Sequence, residues 1–278
     1  MLEKFASLSA FLYSSNSTFA GRPLPPLIEE MRSMREMMVA YRQDTILSVL
    51  VPNLQCLANL NGQSNDPLVL TGEFMEEEEH LRSCVADNNY TGGFVVEKAR
   101  LGLAFYSGEF ELAQEVFERL QKLPDQERTA LGYAITIFMG SVTALALIRE
   151  RTQIRQTARL LKVARRGLKL MRQRAREAPH NFLDRAYFLE AEITAVKGDL
   201  DAALILYRLA ATLAQKEGFV NQEAVYYERM AIALHCGART KEAVRCLKRS
   251  RDLYDEWGAV IVVDRLNSTL QSAAWQAR

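Results

Sequence analysis

The sequence predicts an all-α fold of antiparallel helix pairs, on three observations. Apolar residues recur at helical spacing almost throughout the 278 residues, and no segment holds five or more residues of clean period-2 alternation. Glycine and proline are sparse, at 14 and 7, which disfavours a turn-rich sandwich or barrel, while helix-forming alanine, leucine, glutamate and arginine dominate. An internal repeat of about 40 residues marks the last hundred positions.

Taken in order, the spacing places helices at 3–19, 27–41, 44–60, 73–86, 93–106, 110–122 and 126–149, then at 154–177, 181–196, 200–217, 221–236, 240–256 and 260–274. Gly21-Arg22-Pro23 closes the first, and Asn61-Gly62 closes the third. Asp66-Pro67 breaks 62–72, eleven residues without a period that read as a loop. Gly92-Gly93, Pro124-Asp125, Ala178-Pro179 and Gly198-Asp199 separate later helices, since glycine and proline punctuate helical runs. Short connections imply antiparallel neighbours.

A shift of 40 places Tyr187 on Tyr227, Ala191 on Ala231, Ala203 on Ala243, Leu204 on Val244, Leu213 on Leu253 and Gly218 on Gly258. Alanines recur where helices cross closely, and glycine ends the second helix because the chain turns left-handed there. Gly198-Asp199 followed by Ala203, Tyr207 and Ala210, and the similar spacing of Gly108, Ala113 and Phe117, resemble tetratricopeptide units. The second turn, Gly237-Ala238-Arg239, reads as one residue longer, and Ala113 to Ala203 is 90 residues, so the array is irregular. The expected architecture is a tetratricopeptide-like superhelical solenoid. N-terminal hairpins occupy 1–62, middle hairpins 63–150 and repeat pairs 151–278, in one continuous body whose hairpins stack to bury their apolar faces.

Ordered segments carry a narrower resemblance. They are GRPLPPLIEEMR (21–32), YRQDTILSVLVPNLQCLANLNGQSNDPLVLTGE (41–73), FYSGEFELAQEVFE (105–118), the stretch 178–231 from APHNF to YYERMA, and LYDEWGAVIVVDRL (253–266). Together they are similar to the long helical region of large hybrid signalling proteins. Those proteins join a serine/threonine-kinase-like domain and an AAA-type ATPase to this region, followed by a GAF domain and a histidine kinase or cyclase. The catalytic motifs of that family are missing here: there is no GxxxxGK-S/T loop, Gly-rich kinase loop, HRD or DFG. The resemblance therefore implies the connecting region alone, with no catalytic residue to carry over.

The whole-chain balance of 35 Lys+Arg against 34 Asp+Glu, a net +1, names no nucleic-acid or membrane partner. With 49% hydrophobic and 25% charged residues, wholesale disorder is excluded. Cys56, Cys84, Cys236 and Cys246 form no CxxC, so reduced thiols and a cytoplasmic location are expected. Residues 1–15 make a poor signal peptide, so the sequons at Asn16, Asn89 and Asn267 carry little meaning. The uncharged stretch 130–148 approaches the roughly 20 residues of a membrane span, but Thr136, Ser141 and Thr143 at its middle favour a buried helix.

His235, Cys236 and Cys246 lack a fourth ligand and the tight pairing of zinc sites, so buried thiols are expected and no metal or cofactor. The run Glu76–Glu79 reads as helix capping and solvation. Tyr187, Phe188, Tyr207, Tyr226, Tyr227, Tyr254 and Trp257 read as inter-helix packing. The outstanding electrostatic feature is 149–176, with eleven Lys/Arg and one acid, Glu150. At helical period Ala158, Leu161, Ala164, Leu168 and Met171 form an apolar stripe. Arg155, Arg159, Lys162, Arg166, Lys169 and Arg172 lie off it as a basic face.

The expected function is a non-catalytic protein-interaction and relay module of a signal-transduction ATPase/kinase system. It would bind partner kinase or ATPase domains through a helical-repeat groove and that basic face. The bland alternative is a solvated face neutralised by neighbouring acids. The main functional alternative is a helical transcription regulator contacting DNA through 155–172, and a membrane-anchored form using 130–148 is a further rival. An enzyme is the least supported, because no nucleophile, base and oxyanion arrangement can be assembled from the spacing.

Overall fold

The computed structural model describes residues 2–122, 130–150 and 154–276. The helices are α1 (Leu2–Phe19), α2 (Leu24–Ala40), α3 (Asp44–Leu60), α4 (Glu77–Ala86), α5 (Tyr90–Ser107), α6 (Phe110–Lys122) and α7 (Ala130–Glu150). They continue as α8 (Thr157–Glu177), α9 (Pro179–Val196), α10 (Leu200–Glu217), α11 (Val220–Cys236), α12 (Thr240–Trp257), α13 (Val260–Gln271) and α14 (Ala273–Gln276). A 3-10 turn, Ile154–Gln156, precedes α8. No strand occurs among the described residues, as the all-α reading requires. The expected Pro124-Asp125 break and the start at 126 lie outside the described residues.

Local chemistry moves several boundaries. Helix α2 begins at Leu24, because Pro25 and Pro26 fit a first turn whose N–H groups are unused. Helix α5 begins at Tyr90, not 93. The Asn89 side chain accepts from the Gly92 N–H at 2.9 Å, so Gly92-Gly93 is the capped first turn and not a break. Helix α4 begins at Glu77 instead of 73, because Glu76 is extended at φ −108°, ψ 117°. The 62–72 loop and the residues after it are tied to α3 by two fully buried amides. Gln55 Oε1 accepts from Phe74 N–H at 2.9 Å, and Asn59 Nδ2 donates to the Val69 carbonyl at 2.7 Å.

Seven of the connections fall into two kinds. Two-residue links follow α5, α10 and α12, each opening with a left-handed glycine: Gly108, Gly218 and Gly258. Three-residue links follow α2, α4, α9 and α11, and their middle residues, Arg42, Asn88, Gly198 and Ala238, are left-handed. Gly237-Ala238-Arg239 is thus the same length as Lys197-Gly198-Asp199, which corrects the extra residue read from the sequence. Gly237 has an ordinary φ of −85°. It is small because a Cβ there would overlap Leu200 Cδ2, which leaves Ala238 to take the positive φ of 59°.

The chain divides into two compact units: Met1–Arg128 with Trp257–Ile261, and Thr129–Glu256 with Val262–Arg278. In the first, α1 packs on α2 and α3, α2 on α3, α3 on α5, and α5 on α4 and α6. Its centre includes Leu27, Ile28, Met31, Leu50, Leu54 and Val96, all fully buried. In the second, α7 packs on α8 and α9, α8 on α9, α9 on α10, and α10 on α11. Helix α12 joins α11 through Ser250 Oγ, which donates to the Ala224 carbonyl at 2.8 Å. The repeat pairs keep their environments: Ala191, Ala231, Ala203 and Ala243 are fully buried, and Tyr187 and Tyr227 half-buried.

Candidate functional site

Helix α8 buries Leu160, Ala164, Gly167, Met171 and Ala175, a spacing of four, three, four and four that keeps one stripe inward. The expected stripe is corrected in phase: Ala158 is exposed and Leu161 and Leu168 are half-buried, whereas Leu160 and Gly167 are inside. Gly167 was invisible as a contact residue because its smallness is the contact. With that stripe inward, Arg155, Arg159, Lys162, Arg166, Lys169 and Arg172 are all exposed. At 1.5 Å per residue the six cations run for about 25 Å along the helix. Arg172 pairs with Glu190 of α9 at 2.7 Å, so neighbouring acids neutralise the face only in part. Among the described residues Arg155, Lys162, Arg166 and Lys169 form no ion pair. Arg151 of the same run lies outside the described residues.

Arg149 does not belong to that face. Its side chain is 8% exposed and turns inward to Glu192 at 3.3 Å. Glu192 is fully buried on α9 and also receives Arg229 of α11 at 3.1 Å and the Tyr207 hydroxyl of α10. Arg149 further donates to the Tyr207 oxygen and the Arg229 carbonyl, each at 3.2 Å. Three helices thus each supply one side chain to a single buried carboxylate on a fourth. Burial by itself would raise the Glu192 pKa, but Arg149 and Arg229 outweigh it and hold the carboxyl below its ordinary value. Burial pushes Tyr207 up, so it stays a protonated donor. Burial would lower Arg149, yet Glu192 and Tyr207 raise it overall.

The same construction recurs nearby. The Tyr226 hydroxyl donates to buried Asp184 at 2.8 Å, and Tyr254 to Glu228 at 3.1 Å, with Arg265 also on Glu228 at 2.8 Å. The aromatic set is packing: Phe188 and Tyr226 stack at 4.2 Å, and Phe188, Tyr207, Tyr226, Tyr254 and Trp257 are buried. Sequence reasoning missed this polar core, because Glu192 meets partners 15, 37 and 43 residues away. The available signal was a carboxylate inside the apolar Ala191–Ile193 step.

Other expectations divide. Glu76, Glu78 and Glu79 are exposed, but Glu77 turns inward, accepts from the Leu70 N–H at 2.9 Å and pairs with Arg100. Cys236 is exposed, not buried, since it ends α11, and Cys246 is half-buried. His235 stacks on Trp275 with ring centroids 4.3 Å apart. Among the described residues no group of three or more His, Cys, Asp or Glu is arranged for a metal ion. Over Gly132–Glu150, α7 is long and apolar enough to cross a membrane, and 72% of that window is buried within the protein.

Charge is divided between the units although the whole chain is near neutral. Met1–Arg128 with Trp257–Ile261 carries 11 Lys/Arg and 19 Asp/Glu, a net −8. The remaining residues carry 24 and 15, a net +9. Comparison with protein-family models, with curated proteins and with solved structures returned no match.

Proposed function

We propose that this protein is a non-catalytic helical interaction module that docks an acidic protein surface on α8. The observation that carries this reading is the exposed face of Arg155, Arg159, Lys162, Arg166, Lys169 and Arg172. It is mounted on a stripe packed against α7 and α9, so the cations are presented on a fixed backbone. Complementary charge of this kind gives specificity and fast encounter. The alternating two- and three-residue links and the matched burial of the 40-residue repeat support a tetratricopeptide-like solenoid. The resemblance to hybrid signalling proteins names the partner: a kinase or AAA-type ATPase domain, with this chain relaying position between domains in the cytoplasm.

The test is a pull-down with the intact chain, washed at about 50 mM and about 500 mM salt. Retention of a kinase- or ATPase-bearing polypeptide at low salt, weakened at high salt where exposed charges are screened, supports docking on α8. Capture of nucleic acid alone, lost at high salt, overturns it and moves the function to DNA contact by α8.

A further inference from the structure

The opposite net charges of the two units, −8 and +9, are carried on particular helix faces. In the acidic unit, α6 buries Phe110, Ala113, Val116, Phe117 and Leu120, which leaves positions 111, 112 and 115 facing outward. Glu111, Leu112 and Glu115 are all exposed, as is Glu109 immediately before the helix. Among the described residues Glu109, Glu111 and Glu115 make no ion pair.

In the basic unit, α10 and α12 begin side by side. Arg239, the residue before α12, pairs with Asp201 in the first turn of α10 at 3.1 Å, and Leu200 Cδ2 fills the space beside Gly237. The 40-residue shift sets Ile205, Arg208 and Leu209 of α10 level with Arg245, Lys248 and Arg249 of α12. Among the described residues of Thr129–Glu256, the exposed large apolar side chains are Ile205, at 68%, and Leu209, at 39%. Arg208, Arg245 and Lys248 are exposed and make no ion pair among the described residues, while Glu223 holds Arg249 at 2.9 Å. The acids at this end, Asp201 and Glu242, are both taken by Arg239.

We propose that this protein self-associates, the α6 face of one copy seating on the α10–α12 face of another. Leu112 rests on Ile205 and Leu209, and Glu109, Glu111 and Glu115 meet Arg208, Arg245 and Lys248. An apolar centre rimmed by complementary charge is the make-up of a specific interface. Like charge keeps either face from pairing with its own kind, so the contact joins two different surfaces. The cations of α8 bring no exposed large apolar side chain with them and take no part.

The test is sedimentation velocity of the intact chain from about 5 to about 200 μM, at about 50 mM and about 500 mM salt. The sedimentation coefficient should rise with concentration at low salt and stay at the monomer value at high salt. Glu111→Lys with Glu115→Lys, and separately Arg208→Glu with Arg245→Glu, change only exposed residues. Each variant alone should associate about tenfold or more weakly. An equimolar mixture of the two should recover association, because each supplies the face the other lacks. Ile205→Ser, also exposed, should weaken association with no change in its salt dependence. A monomer at every concentration, association that persists at 500 mM, variants that associate like the parent, or a mixture that fails to recover would each overturn the proposal. Capture of a foreign partner by α8 is read separately, since every one of these substitutions lies off that helix.

Discussion

Gly167 of α8 lies so close to Ser141 of α7 that a Cβ at 167 would overlap the Ser141 hydroxyl and come within 2.9 Å of its Cβ. The close approach sets the depth of α8 and hence which of its faces is left to solvent. Gly167→Ala should therefore destabilise the fold by about 1–3 kcal/mol through overpacking, despite the better helix propensity of alanine. Urea unfolding measures this. A stability equal to or above that of the parent would contradict the packing.

Glu192→Gln leaves Arg149 and Arg229 buried without their counter-charge, for an expected loss of about 3–5 kcal/mol. Tyr207→Phe removes one hydrogen bond to the carboxylate and should cost about 1–2 kcal/mol. If chemical denaturation puts Glu192→Gln within 0.5 kcal/mol of the parent, about the scatter of a neutral surface change, the cluster is not structural.

The same carboxylate gives a pH dependence with a definite sign. Its folded pKa lies below its ordinary value, so the stability it contributes is fully present above that ordinary value. It is lost as pH falls through the lowered folded value. The stability gap between parent and Glu192→Gln should thus narrow only in the acid range, which parallel urea titrations across pH would read. A gap that stays constant into strong acid would exclude the ionised cluster.

Ala238 occupies a left-handed φ of 59° at the link position where the equivalent residue is Gly198. Ala238→Gly should raise stability by about 1 kcal/mol by removing the Cβ clash of that conformation. Thermal unfolding checks it. An unchanged or lower midpoint would argue against the left-handed turn. The reverse exchange at the preceding position, Gly237→Ala, should destabilise, because Leu200 fills the space a Cβ needs.

The sequence carried most of the helical architecture and only part of the site. Helix α10 was legible because its signals are local: Asp199 caps it through the Ala202 N–H at 3.1 Å and Gly218 ends it. The start of α4 was misread because Phe74 and Met75 keep helical phase but lie outside the helix, where Gln55 of α3, 19 residues away, accepts from the Phe74 N–H. Gly92-Gly93 misled for the opposite reason, since one cap from Asn89 turns a helix breaker into a first turn. On α8 the cations were legible from composition, whereas the inward phase was set by glycine and alanine, which weigh little in an apolar count. Arg149 was counted in the basic run 149–176 with no sign of its inward pairing, because its counter-charge, Glu192, is far along the chain.

The central claim is that the α8 face docks an acidic protein surface, and its most direct test is charge reversal. Lys162→Glu with Arg166→Glu changes two exposed residues that make no ion pair among the described residues, so folding should be unaffected by circular dichroism. In a pull-down near 150 mM salt, the account predicts that the parent retains a kinase- or ATPase-bearing protein and that the reversed chain loses it, with affinity down about a hundredfold. Undiminished capture by the reversed chain, or capture of nucleic acid alone by the parent, would contradict it.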